Sequence, residues 1–348
     1  MLTRIWMAAL ALSLSGLLAS ASAQPREVVD AAGRSVPLPA AADRVFTAGP
    51  PASVAVYMVA PEKLVGWVRA PSVAEKAYLA KPYASLPEHG RLTGRGNTAN
   101  LEVVLAAKPD LILDIGSVDP TYASLADRTQ AQTGIPYILL DGAFARTPEM
   151  LRDLGRILGA ETRAEELARY AKETLDDVAE RIAAVPPEKR PRVYYGRGPR
   201  GLETGLKGSI NTEILSFVGA ENVAALAGSG SLATVSVEQV LAWNPDVILT
   251  QDSAFARSVR TDPSWGSIQA VRDGRIYRAP ALPFGWFDAP PGVNRLIGIR
   301  WLARVLYPDL FPENLRDIAA EFYRRFYHVS LSPAQLDELL ADATGPQP

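Results

Sequence analysis

The chain of 348 residues contains no cysteine, two histidines, and no apolar run after residue 23 long enough to cross a bilayer. Each absence excludes something. Without thiols there are no disulfides, so the fold must be held by its core alone, which a chain of this length can supply. His89 and His328 lack the partners a bare transition metal needs, and no thiolate stands in for them. Charge of one sign is missing too: 36 Lys+Arg against 38 Asp+Glu leave a formal net charge of −2. That balance gives no reason to expect nucleic-acid binding. There is no Walker sequence, no G-x-S-x-G elbow and no H-E-x-x-H helix, so ATPase and hydrolase readings lack their minimum parts.

The apolar run that does exist lies at the start. Arg4 supplies a positive end, Met7 to Leu18 is mostly apolar, and Ala21-Ser22-Ala23 forms an A-x-A cleavage signal before Gln24. Residues 1–23 are therefore expected to be a secretory signal peptide, the apolar part being shorter than the ~20 residues of a membrane span. A lipid-tethered bacterial protein would carry cysteine at the new amino terminus. Gln24 stands there, so the mature chain is expected free in a periplasm.

The chain also contains one unit twice. Leu101 to Leu113, LEVVLAAKPDLIL, returns as VEQVLAWNPDVIL from Val237 to Leu249, with eight identities in thirteen positions. Each copy has a helix-starting residue (Asn100, Ser236), an acid (Glu102, Glu238), an apolar helical stripe, a Pro-Asp break and an apolar run suited to a buried strand. Two similar α/β lobes with a ligand cleft between them follow. Strands and helices alternate in both halves, which predicts Rossmann-like lobes with mostly parallel sheets. Strands are expected at 44–48, 64–68, 111–115 and 137–140, then at 192–195, in the second repeat and at 275–278.

The organisation expected is a signal (1–23), an N-terminal lobe (24–146), a long linking helix (147–187) broken near Gly159 and stopped by Pro186-Pro187, and a C-terminal lobe (188–348) ending in three helices. A helical linker is stiff because every residue is held in the hydrogen-bond ladder. It predicts a largely preformed cleft.

In open α/β sheets, ligands bind beyond the carboxyl ends of the strands. The candidates there are arginines and aromatics. Arg69, Arg95, Arg197 and Arg200 could neutralise carboxylates, catecholates or an oxyanion. Trp67, Tyr195, Trp286 and Phe287 could stack on a planar or bulky chelate. Gly196-Arg197-Gly198-Pro199-Arg200-Gly201 is formally G-x-G-x-x-G after a strand, which opens a dinucleotide-binding enzyme as an alternative. Gly205 and Gly208 delay the following helix to about Ser209, so the pyrophosphate would find no helix end, and a cleft loop is expected instead.

The ordered set of secretory signal, strand with Pro-containing loop (Phe46 to Pro51), Asn100-Leu101-Glu102 before the first Pro-Asp, a long linking helix, Gly219-Ala220-Glu221-Asn222, and Ser236-Val237-Glu238 before the second Pro-Asp resembles the periplasmic solute-binding proteins of ABC importers for iron-siderophore complexes, haem and cobalamin. The resemblance covers nearly all of the mature chain. It implies a monomeric, non-enzymatic binding protein with no cofactor and no bound metal of its own. Its partners would be a dimeric inner-membrane permease and a small-molecule metal complex. In that family one glutamate per lobe docks into arginine-lined pockets of the permease, and Glu102 and Glu238 fall at those places. Cobalamin-binding members carry a Trp-Phe pair at about the place of Trp286-Phe287. The expected cargo is an iron chelate of siderophore type, with cobalamin, haem or an oxyanion such as molybdate as alternatives.

Overall fold

The computed structural model describes residues 26–94, 96 and 98–343. The expected signal peptide and Arg95 lie outside the described residues. An antiparallel hairpin comes first among the described residues, β1 (Arg26–Val29) with β2 (Ser35–Leu38), followed by β3 (Val45–Thr47) and α1 (Pro50–Val59). Two short turns of helix, α2 (Val73–Lys76) and α3 (Lys81–Ala84), precede α4 (Leu101–Ala107), β4 (Leu111–Gly116), α5 (Pro120–Thr133) and β5 (Tyr137–Asp141). The N-lobe sheet is parallel in the order β3-β4-β5. Residues 64–68, expected as a strand, form only isolated bridges, Val45 to Leu64 and Trp67 to Glu88, because the chain leaves the sheet edge after one contact.

The link between lobes is helical, in two pieces. Helix α6 (Thr147–Leu158) ends at Gly159, and α7 (Glu161–Ala183) runs 23 residues, about 35 Å at 1.5 Å per residue. The C-lobe then contains β6 (Arg192–Tyr195), β7 (Glu203–Gly205), α8 (Glu213–Phe217), β8 (Glu221–Asn222), β9 (Leu232–Thr234), α9 (Val237–Trp243), β10 (Val247–Thr250), α10 (Ser253–Ser258), α11 (Gln269–Arg272) and β11 (Ile276–Arg278). Its main sheet is parallel in the order β11-β10-β6-β8, and β7 pairs with β9 as a separate antiparallel flap. No described helix is long and apolar enough to cross a membrane.

The repeat has a physical role in each lobe. Asn100 and Ser236 accept the backbone N–H of Val103 and Gln239, starting α4 and α9. Both helices end on a left-handed residue, Lys108 and Asn244, before Pro-Asp. Asp110 Oδ2 then accepts the N–H of Arg44 at 3.0 Å and Asp246 Oδ2 that of Arg192 at 2.8 Å. Each aspartate thereby fixes the start of the neighbouring parallel strand. The same arginines reach back to the left-handed residue's carbonyl, Arg44 to Lys108 and Arg192 to Asn244. The duplicated Pro-Asp sets strand register, which is why it survives in both copies at one spacing.

Of the terminal helices α12 (Arg295–Leu306), α13 (Leu315–Phe326) and α14 (Pro333–Leu340), the first stays packed on α7 and α8, while the other two reach the N-lobe. The aromatic face of α13 needs cover, and helices of both halves supply it. Tyr57 of α1 donates its hydroxyl to Tyr327 O, Tyr78 donates to Gln335 O at 3.2 Å, and Gln335 Nε2 donates to Ala77 O at 2.8 Å. One hydrophobic core therefore runs from the N-lobe sheet through α6 and α7 to α12 and α13. The lobes are tied twice, by the linking helices and by the returning chain end.

Candidate functional site

Parallel strands place their carboxyl ends, and the loops that follow, on the side where the lobes meet. The N-lobe wall consists of Gly49-Pro50-Pro51 after β3, Gly116 to Asp119 after β4, and Gly142 to Arg146 after β5. Leu92 and Thr93 donate backbone N–H groups to Ala48 O at 2.8 and 3.0 Å, which brings the 91–94 segment to the same edge. The C-lobe wall consists of Gly196 to Gly201 after β6, Leu206 to Thr212 before α8, Gln251 and Asp252 after β10, and Pro283 to Gly292.

The floor is closed by contact. Pro51, Ile115, Asp141, Gly142, Ala143, Thr147 and Met150 meet Gly292 and Val293 around a space of about 10 Å³, roughly what a single water occupies. A larger groove of about 740 Å³ lies elsewhere, on the outer edge of the N-lobe between β1 and α6. It is not flanked by the C-lobe.

The C-lobe wall is built on one polar network. Arg197 stands between two carboxylates: its Nε is 2.8 Å from Asp288 Oδ2, and it also pairs with Glu203. Asn211 Nδ2 donates to Asp288 Oδ1 at 2.8 Å, and Asp288 N and the Tyr195 hydroxyl both donate to Gln251 Oε1, at 2.8 and 3.0 Å. Burial drives the Tyr195 pKa well above its usual value, so the hydroxyl stays a donor. Burial opposes the Arg197 charge, but the Asp288 and Glu203 carboxylates outweigh it and raise its pKa. With one guanidinium between two carboxylates, this patch offers an incoming anion no net positive charge.

Asp114 supports the N-lobe wall from behind. It accepts from Thr93 Oγ1 at 3.1 Å, its neighbour Ile115 N–H at 3.0 Å and the Tyr137 hydroxyl at 3.3 Å. Burial pushes its pKa up to about 6 despite those bonds. Below about pH 4 the group is neutral in folded and unfolded chains alike. Between about pH 4 and 6 the unfolded chain releases the proton first, so this carboxyl costs stability increasingly as pH rises. Asp114→Asn is expected to be more stable than the parent at pH 7.5, by up to ~3 kcal/mol, with the gap closing near pH 4. Urea midpoints at the two pH values read this out; a gap independent of pH would contradict it.

The residues expected from sequence fall into three groups. Trp286 and Phe287 are fully buried. The Trp286 indole N–H donates to the Tyr323 hydroxyl at 3.1 Å, and the Phe287 ring lies 4.2 Å from that of Tyr195, itself buried. The pair was expected to stack on a cargo; in this conformation it packs the core behind the wall, because two large rings and an indole N–H find partners there. Trp67 is buried as well, donating to Tyr83 O at 2.8 Å and lying 5.9 Å from Phe284. Among the arginines, Arg69 pairs with Glu75 at 2.6 Å and Arg197 is enclosed as described. Arg200 is exposed, with no ion pair among the described residues.

Glu102 and Glu238 both lie in the first turn of their helices and are exposed. The Ser236 hydroxyl, followed by the backbone N–H of Glu238, lowers the Glu238 pKa and keeps it charged. The glycine-rich segment after β6 leads into strand β7, not a helix, and so builds no pyrophosphate site. Among the described residues no group of three His, Asp or Glu side chains could hold a metal.

Three charged residues at these walls were not among those expected: Asp114, Glu213, which accepts the Phe144 N–H, and the buried Arg295 that pairs with it. Signals existed for two of them. Asp114 interrupts an otherwise apolar strand, and Arg295 opens a helix whose neighbours are almost all apolar; charges there must be paired or shifted.

A family model described as "Periplasmic binding protein" matches residues 56–282. The chain is similar to the molybdate-binding protein MolA of Haemophilus influenzae, at 28% identity over 92% of this chain and 95% of that protein. The MolA structure bound to molybdate aligns with a TM-score of 0.72 and 25% identity, covering 88% of this chain and 99% of that one. An ABC transporter solute binding protein from Sulfurospirillum deleyianum aligns at a TM-score of 0.82 with 30% identity, over 91% of this chain and 99% of that one. Similarity to the vitamin B12-binding protein of Salmonella typhimurium is 30% over 54% of this chain and 66% of that protein.

Proposed function

Because the chain belongs to the periplasmic binding protein family and is the substrate-binding component of an ABC importer, we propose that its cargo is a small oxyanion of the molybdate class, held between the lobes and handed to the permease by docking through Glu102 and Glu238. The observation that carries this reading is that, among the described residues, the aromatics and arginines expected to form a platform for a bulky chelate are buried or paired, Arg200 excepted. Trp67, Tyr195, Trp286 and Phe287 are buried, Arg69 and Arg197 are paired, and the lobes touch at the floor.

A tetrahedral oxyanion needs far less. A few backbone N–H groups, hydroxyls and one or two cations suffice to hold it. Arg200 and Lys207 are exposed on the C-lobe wall and supply the cationic side. The end-to-end similarity to MolA supports the same cargo, while similarity to the vitamin B12-binding protein spans only part of either chain. The iron-siderophore cargo expected from sequence is the competing outcome.

Isothermal titration of the mature protein with molybdate, tungstate, sulfate, a ferric siderophore and cobalamin separates them. Saturable one-site binding of molybdate and tungstate is expected. Binding of the ferric siderophore alone would restore the iron-chelate reading and end this one.

A further inference from the structure

The floor of the cleft is held by a charge pair that neither the repeat nor the docking surface uses. Arg295 at the start of α12 is 1% exposed, and its Nη1 lies 2.7 Å from Glu213 of α8 and 2.7 Å from Ile210 O. Both residues belong to the C-lobe. Both also reach the N-lobe loop that follows β5. Glu213 Oε1 accepts the Phe144 N–H at 3.0 Å, and Arg295 Nη2 lies 3.4 Å from Gly142 O. The Arg295 guanidinium sits 5.0 Å over the Phe144 ring, and Phe217 meets the same ring edge-on at 5.4 Å.

We propose that Glu213 and Arg295 are positioning residues for cargo retention: they clasp the Gly142–Phe144 loop across the cleft, so that cargo leaves slowly until the permease separates the lobes. The proposal rests on the reading that cargo sits between the lobes. Opening the cleft does not split the ion pair, since both partners move together. What opening breaks is the charge-assisted bond to Phe144 N–H, the contact with Gly142 O and the enclosure of the Phe144 ring. The pair is thus a preorganised socket, and the N-lobe loop is its plug.

The clasped loop is continuous with the cargo wall. Gly142 donates its N–H to Gly116 O at 2.9 Å, and a Cβ on Gly142 would stand 2.7 Å from Gly116 Cα. The loop after β5 therefore cannot shift without carrying the loop after β4. Without Glu213 the Phe144 N–H loses its acceptor in a buried place, and the closed state loses the advantage.

Two readouts test this on the mature protein, with Glu213→Gln removing the charge at constant shape and Glu213→Asp keeping the charge one methylene short. The absence of cysteine lets a spin-label pair be placed cleanly, away from the cargo walls, at the exposed Ser124→Cys on α5 and Ser258→Cys at the end of α10. Pulsed dipolar spectroscopy of the cargo-free protein is expected to show a broader and longer distance distribution in Glu213→Gln, with Glu213→Asp intermediate. Stopped-flow release of molybdate is expected to speed up about tenfold in Glu213→Gln, equivalent to about 1.4 kcal/mol, with association little changed. Unchanged distances in both variants overturn the clasp whatever the cargo is. Changed distances in a protein that binds no oxyanion uphold the clasp and fault the cargo assignment instead. Changed distances with unchanged molybdate release overturn the role in retention.

Discussion

Alanine at both Glu102 and Glu238 is expected to lower cargo uptake by cells about a hundredfold or more, while cargo affinity of the purified protein stays the same. The two acids stand at equivalent places of a duplicated unit, one per lobe, each exposed in the first turn of its helix. A single exposed ion pair contributes little, ~0 to 1 kcal/mol. Two on one rigid body act together, because the first contact raises the effective concentration for the second. Each single variant is therefore expected to retain a substantial part of uptake, and the double variant almost none. Folding is a clean control here: Asn100 and Ser236 still start the helices, and losing a favourable helix-dipole charge costs only ~0.3 to 1 kcal/mol per site. Transport by the double variant at the parental rate and expression level would remove the docking role from these residues.

The largest effect on stability is expected from the smallest change, Gly298→Ala. By propensity alone alanine favours a helix interior by about 1 kcal/mol. Here the sign reverses, because a Cβ on Gly298 would stand 1.7 Å from Trp286 O and 2.7 Å from Trp286 C. Those are backbone atoms of a buried loop whose indole is fixed to Tyr323, so neither side can yield alone. Helix α12 must move away from the 285–288 segment, at a cost of ~3 kcal/mol or more. At about 2.1 cal/mol/K of unfolding entropy per residue, a cost of ~3 kcal/mol lowers the melting temperature of a chain of this size by roughly 4 to 5 °C. The same shift pulls Asp288 from Arg197 and Asn211, so cargo affinity should fall as well. A variant as stable as the parent would mean that the approach of α12 to Trp286 is looser than its geometry.

Much of the frame was legible in the sequence, for a definite reason. LEVVLAAKPDLIL and VEQVLAWNPDVIL carry their own start signal, stripe, stop and strand, so local physics alone places α4 with β4 and α9 with β10. The linking helices were equally open to reading, down to the break at Gly159, since amphipathic periodicity and a left-handed stop are local features. What escaped was tertiary. That α13 and α14 return to the N-lobe depends on Tyr57 and Tyr78, some 260 residues away in the chain, and no local pattern announces it. The orientation of Trp286 and Phe287 escaped for the same reason. Two aromatics in a Gly-Pro loop have one meaning when the loop is exposed and another when α13 and Tyr195 cover it. The pairing of Arg197 was not legible because a charge in a cleft counts only with its neighbours: Asp288 lies 91 positions after Arg197, yet it decides what Arg197 can attract.

The proposed function puts a small oxyanion between two lobes tied at their floor. Crystals of the protein grown with molybdate, measured on both sides of the molybdenum absorption edge, test it most directly. One strong anomalous peak is expected between the loops after β4 and β5 on one side and the loops at Leu206 to Thr212 and Pro283 to Gly292 on the other. A cleft without that peak, in a protein that titrates with a ferric chelate, would contradict it.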